Sequence, residues 1–112
     1  MRKLVIFQIM YPYGEDRRFD IEYYLKSHLV NAKKLLGKAC LKVEVTRGFK
    51  EFYQDTTPFF AFSARLVFEN EETFFKAYTE DVDTFLMEDI PRFTDIAPVW
   101  QLEEIVYQET SI

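Results

Sequence analysis

Leu4-Val5-Ile6-Phe7-Gln8-Ile9-Met10-Tyr11 is an almost unbroken apolar run, rich in β-branched and aromatic residues and closed by Pro12 and Gly14. A half-exposed strand alternates in polarity, so a continuous run between turn formers reads as a strand buried on both faces. Phe59-Phe60-Ala61-Phe62-Ser63-Ala64-Arg65-Leu66-Val67-Phe68 has the same character and is expected to be a second interior strand. Between the two, Leu41-Lys42-Val43-Glu44-Val45-Thr46 alternates strictly, as an edge strand does, and Phe49 to Pro58 reads as a loop. Val99 to Tyr107 alternates again and is the expected last strand.

Helices fill the gaps between these strands. Asp20 offers an N-cap oxygen to a segment from Ile21 to Leu36, and Gly37 supplies the residue that can take a positive φ after the last turn. Helical spacing puts Ile21, Tyr24, Leu25, His28, Leu29, Ala32, Leu35 and Leu36 on one face. Asn70 caps a second helix that opens with Glu71 and Glu72, buries Phe74, Phe75, Tyr78, Val82, Phe85 and Leu86, and is expected to end before Pro91. The order β-α-β-β-α-β is the ferredoxin-like arrangement of the α+β class: an antiparallel sheet with two helices on one face and strands one and three in the middle. A single domain spanning residues 1–112 is expected.

The chain is 18% aromatic, with 12 Phe, 7 Tyr and 1 Trp against only 3 Gly and 4 Pro. Few turn formers mean that most residues lie in helices or strands. If both central strands are apolar on both faces, Phe7, Phe59, Phe60, Phe62 and Phe68 exceed what one helical layer hides. The expected cover is a second copy, sheet against sheet across a twofold axis, giving a homodimer.

Charge narrows the partners. The net charge is -5, which disfavours nucleic acid and anionic membrane surfaces as targets, since both call for clustered Lys and Arg. The charges are uneven: residues 1–50 carry a net +6 and residues 51–112 a net -11. No apolar run approaches the roughly 18 residues of a membrane span. Arg2-Lys3 before Leu4 to Met10 imitates the start of a signal peptide, but no small-residue cleavage site follows, so a cytoplasmic protein is expected. The lone Cys40 fits that setting and reads as a small buried hydrophobe.

Nucleotide, serine-hydrolase and zinc motifs are all absent, and with one His and one Cys neither a metal site nor a cofactor is expected. His28, the only histidine, falls on the apolar face of the first helix. An imidazole there either transfers protons or is a core histidine hydrogen-bonded to its surroundings. Tyrosines 11, 13, 23, 24 and 53 have the same two readings: phenol donors to a ligand, or rings buried for packing.

Two stretches carry a family resemblance. Tyr11-Pro12 with Phe19-Asp20-x-x-Tyr23-Tyr24-x-x-x-His28, and Asp89-Ile90-Pro91-x-Phe93-Thr94-Asp95-Ile96-x-Pro98-Val99, resemble the EthD family across nearly the whole chain. The resemblance implies a dimeric α+β barrel of the kind associated with ether degradation and with cofactor-free oxygenation, dehydration or decarboxylation of aromatic polyketides. It implies that His28 faces a cavity between helix and sheet, with Tyr24, Tyr11 and Asp95 near it. Family members commonly have His-x-Pro where this chain has His28-Leu29-Val30, so the helix is expected to run on without a proline kink.

The resulting expectation is a homodimer binding a small hydrophobic aromatic or carbonyl compound. His28, Tyr24 and Asp95 are the candidate catalytic residues, and Tyr11, Phe7, Phe62 and Trp100 the candidate ligand-binding ones. The alternatives are a non-catalytic carrier or accessory protein of a degradation pathway and, ranked last, haem ligation by His28.

Overall fold

The computed structural model describes residues 3–54 and 56–111. Arg2, part of the signal-peptide comparison, and Asp55, in the expected loop, lie outside them. Strand β1 (Val5–Pro12) is followed by a helix in three parts: α1 (Ile21–Tyr23), a π-helical turn (Tyr24–His28) and α2 (Leu29–Leu36). Strands β2 (Lys42–Arg47) and β3 (Phe60–Phe68), helices α3 (Glu71–Ala77) and α4 (Glu80–Phe93), and strand β4 (Val99–Glu104) complete the chain. The strands form one antiparallel sheet in the order β2-β3-β1-β4, with the two apolar runs in the middle as expected.

The caps follow local chemistry. Asp20 accepts from the Tyr23 amide and Asn70 from the Thr73 amide, each satisfying an orphan donor of a first turn. Gly37 ends the first helix at φ 69° and ψ -151°, a region that only glycine occupies at low cost. The second helical segment departs from expectation in two ways. It breaks at Tyr78, and Thr79 caps a new helix by accepting from the Val82 amide. That helix also runs through Pro91 to Phe93 instead of ending before it. Proline removes one helical hydrogen bond, and α4 is held past it from outside. The Arg18 guanidinium donates to the Pro91 and Arg92 carbonyls, and the Asp20 amide donates to that of Phe93. A cation at a helix C-terminus also suits the macrodipole.

The core lies between the sheet and the helices. Phe7, Ile9 and Tyr11 from β1, and Phe62, Ala64, Leu66 and Phe68 from β3, pack against Tyr24, Ala32, Leu36, Phe74, Val82, Leu86, Ile90 and Phe93. Phe7, Tyr11, Phe62 and Phe68 of the central strands thus all meet the helical layer and Phe60 is exposed at the start of β3, which corrects the expectation that these rings overfill that layer. Phe59 precedes β3 and is exposed, Phe75 faces solvent, and β4 stops at Glu104, short of the expected Tyr107. The surplus rings sit instead between β2 and β3, where Phe49, Phe52 and Tyr53 are 81%, 83% and 87% exposed.

The other sheet face is patterned in rungs across the four strands. One reads Lys42, Val67, Ile6, Glu103; the next Glu44, Arg65, Gln8, Gln101; the next Thr46, Ser63, Met10, Val99. A polar rung therefore crosses the middle of a face expected to be apolar. Arg65 Nη1 lies 3.9 Å from Glu44 Oε1, while Gln8 Oε1 is buried with no hydrogen-bond partner. Among the described residues no helix is long and apolar enough to cross a membrane.

Candidate functional site

His28 is placed by an irregularity in its helix. In a regular α-helix an i, i+4 series drifts around the axis by about 40° per step. The Leu29 amide instead bonds back to the Tyr24 carbonyl, closing a wider π turn that rotates less per residue. Tyr24, His28, Ala32 and Leu36 accordingly form one buried stripe, whereas Leu25 and Leu35, expected on that face, are exposed. The helix does run on without a proline kink, but it is not regular.

The imidazole is 3% exposed and lies among rings: Tyr24 at 5.4 Å, Phe85 at 5.4 Å and Phe93 at 4.6 Å between centroids. Its partner is Asp89 of α4. His28 Nδ1–H donates to Asp89 Oδ2 at 2.7 Å, and the Tyr23 hydroxyl donates to Asp89 Oδ1 at 2.8 Å. Arg92 Nε stands 3.7 Å from the same Oδ1. A carboxylate on Nδ1 fixes the ring orientation and the tautomer, which leaves the lone pair on Nε2. Nε2 has no hydrogen-bond partner among the described residues.

Burial holds the His28 pKa below its ordinary value of 6.5, and the hydrogen bond and charge of Asp89 only partly oppose this. At neutral pH the ring is therefore a neutral base. Burial pushes the phenols of Tyr11 and Tyr24 far up, with Tyr24 adding to the effect on Tyr11, so both remain protonated donors. Tyr11 meets Tyr24 edge-on at 6.2 Å, which puts it one ring behind the histidine.

Phe7, Tyr24 and His28 line an enclosed cavity between helices and sheet, together with Leu29, Val82 and Leu86. Its volume is about 20 Å³. That suits a single water and falls far below the few hundred Å³ of a drug-sized pocket. A haem macrocycle does not fit it either. Trp100 is not beside the histidine; it stacks on the far side of Phe7 at 6.1 Å and lines an outer cleft with Phe74 and Phe75. Phe62 lies toward another cleft, stacked on Phe19 at 4.1 Å.

Asp95 does not meet the imidazole. It accepts from the Arg18 amide at 2.9 Å and lies 4.0 Å from Arg17, tying the end of α4 to the segment before α1. Thr94 reinforces that junction by donating to the Arg18 carbonyl and pairing with Phe19. The two stretches quoted for the family resemblance are thus one physical unit, and its product is the His28–Asp89 contact.

Sequence reasoning passed over Asp89 as a site residue and raised Tyr23 only as one of five tyrosines with two readings. The readable signal was position: Val82, Leu86, Asp89, Ile90 and Phe93 follow a helical stripe, so Asp89 is a carboxylate on a buried face. Cys40 is half-buried, its thiol pushed up by burial, and stands apart from the site. Among the described residues no group of three His, Cys, Asp or Glu side chains converges to hold a metal ion.

No protein-family model matches the sequence, and no curated protein does. Solved structures match over the whole chain. SnoaB of Streptomyces nogalater, a cofactor-independent oxygenase, is 9% identical with a TM-score of 0.54 and covers 96% of this chain and 95% of its own. An ethyl tert-butyl ether D (EthD) family protein of Bacillus halodurans is 16% identical with a TM-score of 0.65, over 95% of this chain and 100% of that one. These two likenesses establish the fold. An EthD-like protein of Ralstonia eutropha superposes with a TM-score of 0.88 over 98% of both chains. At 31% identity over that span, the chain belongs to the EthD-like family.

Proposed function

We propose that this EthD-like chain binds a small hydrophobic aromatic or carbonyl compound beside His28 and moves a proton on it, without a cofactor. The observation that carries the reading is the buried Asp89 carboxylate on Nδ1, which orients a neutral imidazole with its Nε2 lone pair unengaged. Nε2 would take a proton from a phenol oxygen or from a carbon beside a carbonyl. The imidazolium so formed faces Asp89, and the Tyr24 phenol donates to the developing oxyanion. Returning the proton elsewhere on the ligand, or losing a leaving group, completes an isomerisation or elimination. A ring-sized ligand has to part Leu29, Val82 and Leu86 from the sheet. The π turn, where the backbone ladder already departs from regular, is the place for that movement.

The test is a panel of aromatic ketones and carboxylic acids followed by ligand fluorescence and by mass change. His28→Gln is expected to keep the fold and to lower turnover by about 10²–10⁴-fold, the span of a lost general base. Binding without any product, equal in wild type and His28→Gln, would instead identify a carrier or accessory protein.

The same reading takes the active form to be a homodimer joined through the open sheet face. Ile6, Met10, Val67 and Val99 supply its apolar area, and the unpartnered Gln8 Oε1 awaits a donor from the second copy. Sedimentation should give a dimer. Val67→Asp, which buries an unpaired charge on each side, should weaken it by about a hundredfold or more. A wild-type monomer at millimolar concentration would remove the dimer from the proposal.

A further inference from the structure

We infer that the cleft beneath the β2–β3 loop is a second ligand site, built for a planar aromatic anion such as an aryl carboxylate or phenolate. It stands whether or not His28 transfers protons. The cleft has a volume of about 610 Å³, within the range of small-molecule sites, and is lined by Tyr13, Phe19, Phe49 and Phe62 around Arg47. Phe19 and Phe62 stack on one another at 4.1 Å in its wall. The guanidinium of Arg47 sits 5.2 Å from the centre of the Phe62 ring. No carboxylate among the described residues lies within ion-pairing distance of it, in a chain of net charge -5.

Those parts match one chemistry. Rings recognise a ring without regard to its substituents, and a guanidinium reads the planar oxygens of a carboxylate through two parallel hydrogen bonds. Gly48 holds the arrangement in place. A Cβ at that position would collide with the Phe60 carbonyl oxygen, so the chain crosses β3 too closely for any side chain, and Phe49 emerges at a set point over the cleft. The proposal also accounts for a ring that otherwise contributes nothing to stability, since Phe49 is almost wholly exposed. Phe19 touches Tyr11 and Tyr24 on its other side, so the cleft lies one ring layer outside the histidine.

The experiment is an amide-detected NMR titration of the full chain with 1-naphthoate and, separately, with 1-naphthalenemethanol, which keeps the rings and lacks the charge. Naphthoate is expected to bind about tenfold or more tightly than the alcohol, the worth of one charge-assisted pair, with the largest shifts at Gly48 and Phe49. Arg47→Gln should abolish that preference, leaving naphthoate no tighter than the alcohol, and Arg47→Lys should restore part of it. Equal affinity of the two probes for wild type would overturn the inference. So would shifts centred on Gln8 and Arg65 of the open sheet face, or no shift at Gly48 because a second copy covers the cleft. The wild-type comparison decides the matter even if Arg47→Gln fails to fold.

Discussion

Phe93→Ala is expected to lower the free energy of unfolding by about 3–5 kcal/mol, a large share of what a domain of this size has. Phe93 is fully buried and meets five rings, those of Tyr11, Phe19, Tyr23, Tyr24 and His28, at centroid distances from 4.6 to 6.3 Å. Truncation removes the ring's transfer free energy and leaves a hole whose walls belong to two helices and the sheet, so collapse around it is limited. Urea denaturation measures the loss. Phe49→Ala is the internal control: the same chemical change on an exposed ring should alter stability by no more than about 0.5 kcal/mol. A difference between the two variants below about 1 kcal/mol would mean that the aromatic cluster around His28 is not the packed centre described above.

Asp89→Asn is expected to have the larger effect on chemistry. The amide keeps the shape but presents either a weaker acceptor or a donor to Nδ1, so the tautomer with its lone pair on Nε2 loses its anchor. Any turnover that depends on His28 should fall with it, and the change can be followed without a substrate. The chain has a single histidine, so its ring resonance titrates alone. In wild type the midpoint should fall below 6.5, because burial outweighs the opposing pull of Asp89. In Asp89→Asn that pull is gone, and the midpoint should fall further.

The sign of the linkage to stability follows. The folded state favours the neutral ring, and the unfolded chain takes up a proton near 6.5. The His28 contribution is therefore fully present above that value and declines as pH falls through the window between 6.5 and the lower folded midpoint. Melting temperatures across that window should drop toward acid, and His28→Gln should flatten this part of the curve. A histidine midpoint above 6.5 in wild type would reverse the argument.

Much of the frame was legible because it rests on short-range signals. Apolar runs marked the two central strands, Asp20 and Asn70 marked helix starts, and Gly37 marked an end; each works through its own neighbours. What escaped was set by contacts distant in sequence. Pro91 reads as a terminator, and only Arg18, 73 residues away, supplies the donor to its carbonyl. The break at Tyr78 was nearer to legible, since Thr79 followed by Glu80 and Asp81 is itself a helix-start signature. At the site, His28 and Tyr24 stood on a readable face, but the π turn that aligns them has no sequence signature of its own. Asp95 was named and Asp89 was not, although both occur in one recognisable stretch, and which carboxylate points at the imidazole depends on where α4 ends. The aromatic excess was real, but its location was misread. Loop rings and core rings have the same composition, and only register separates them.

The clasp between Arg18–Asp20 and Pro91–Asp95 also sets the order in which the site can come into being. The imidazole and its carboxylate are 61 residues apart, and the hydrogen bonds of the clasp span 73 to 77. Closing so long a loop costs entropy before any contact repays it, so these contacts form late. A chain emerging from the ribosome through β3 already carries both central strands and the histidine helix, yet it has no proton-transfer centre. Chemistry at His28 begins only when the last third of the chain arrives, which makes the state of the imidazole a direct reporter of completed folding.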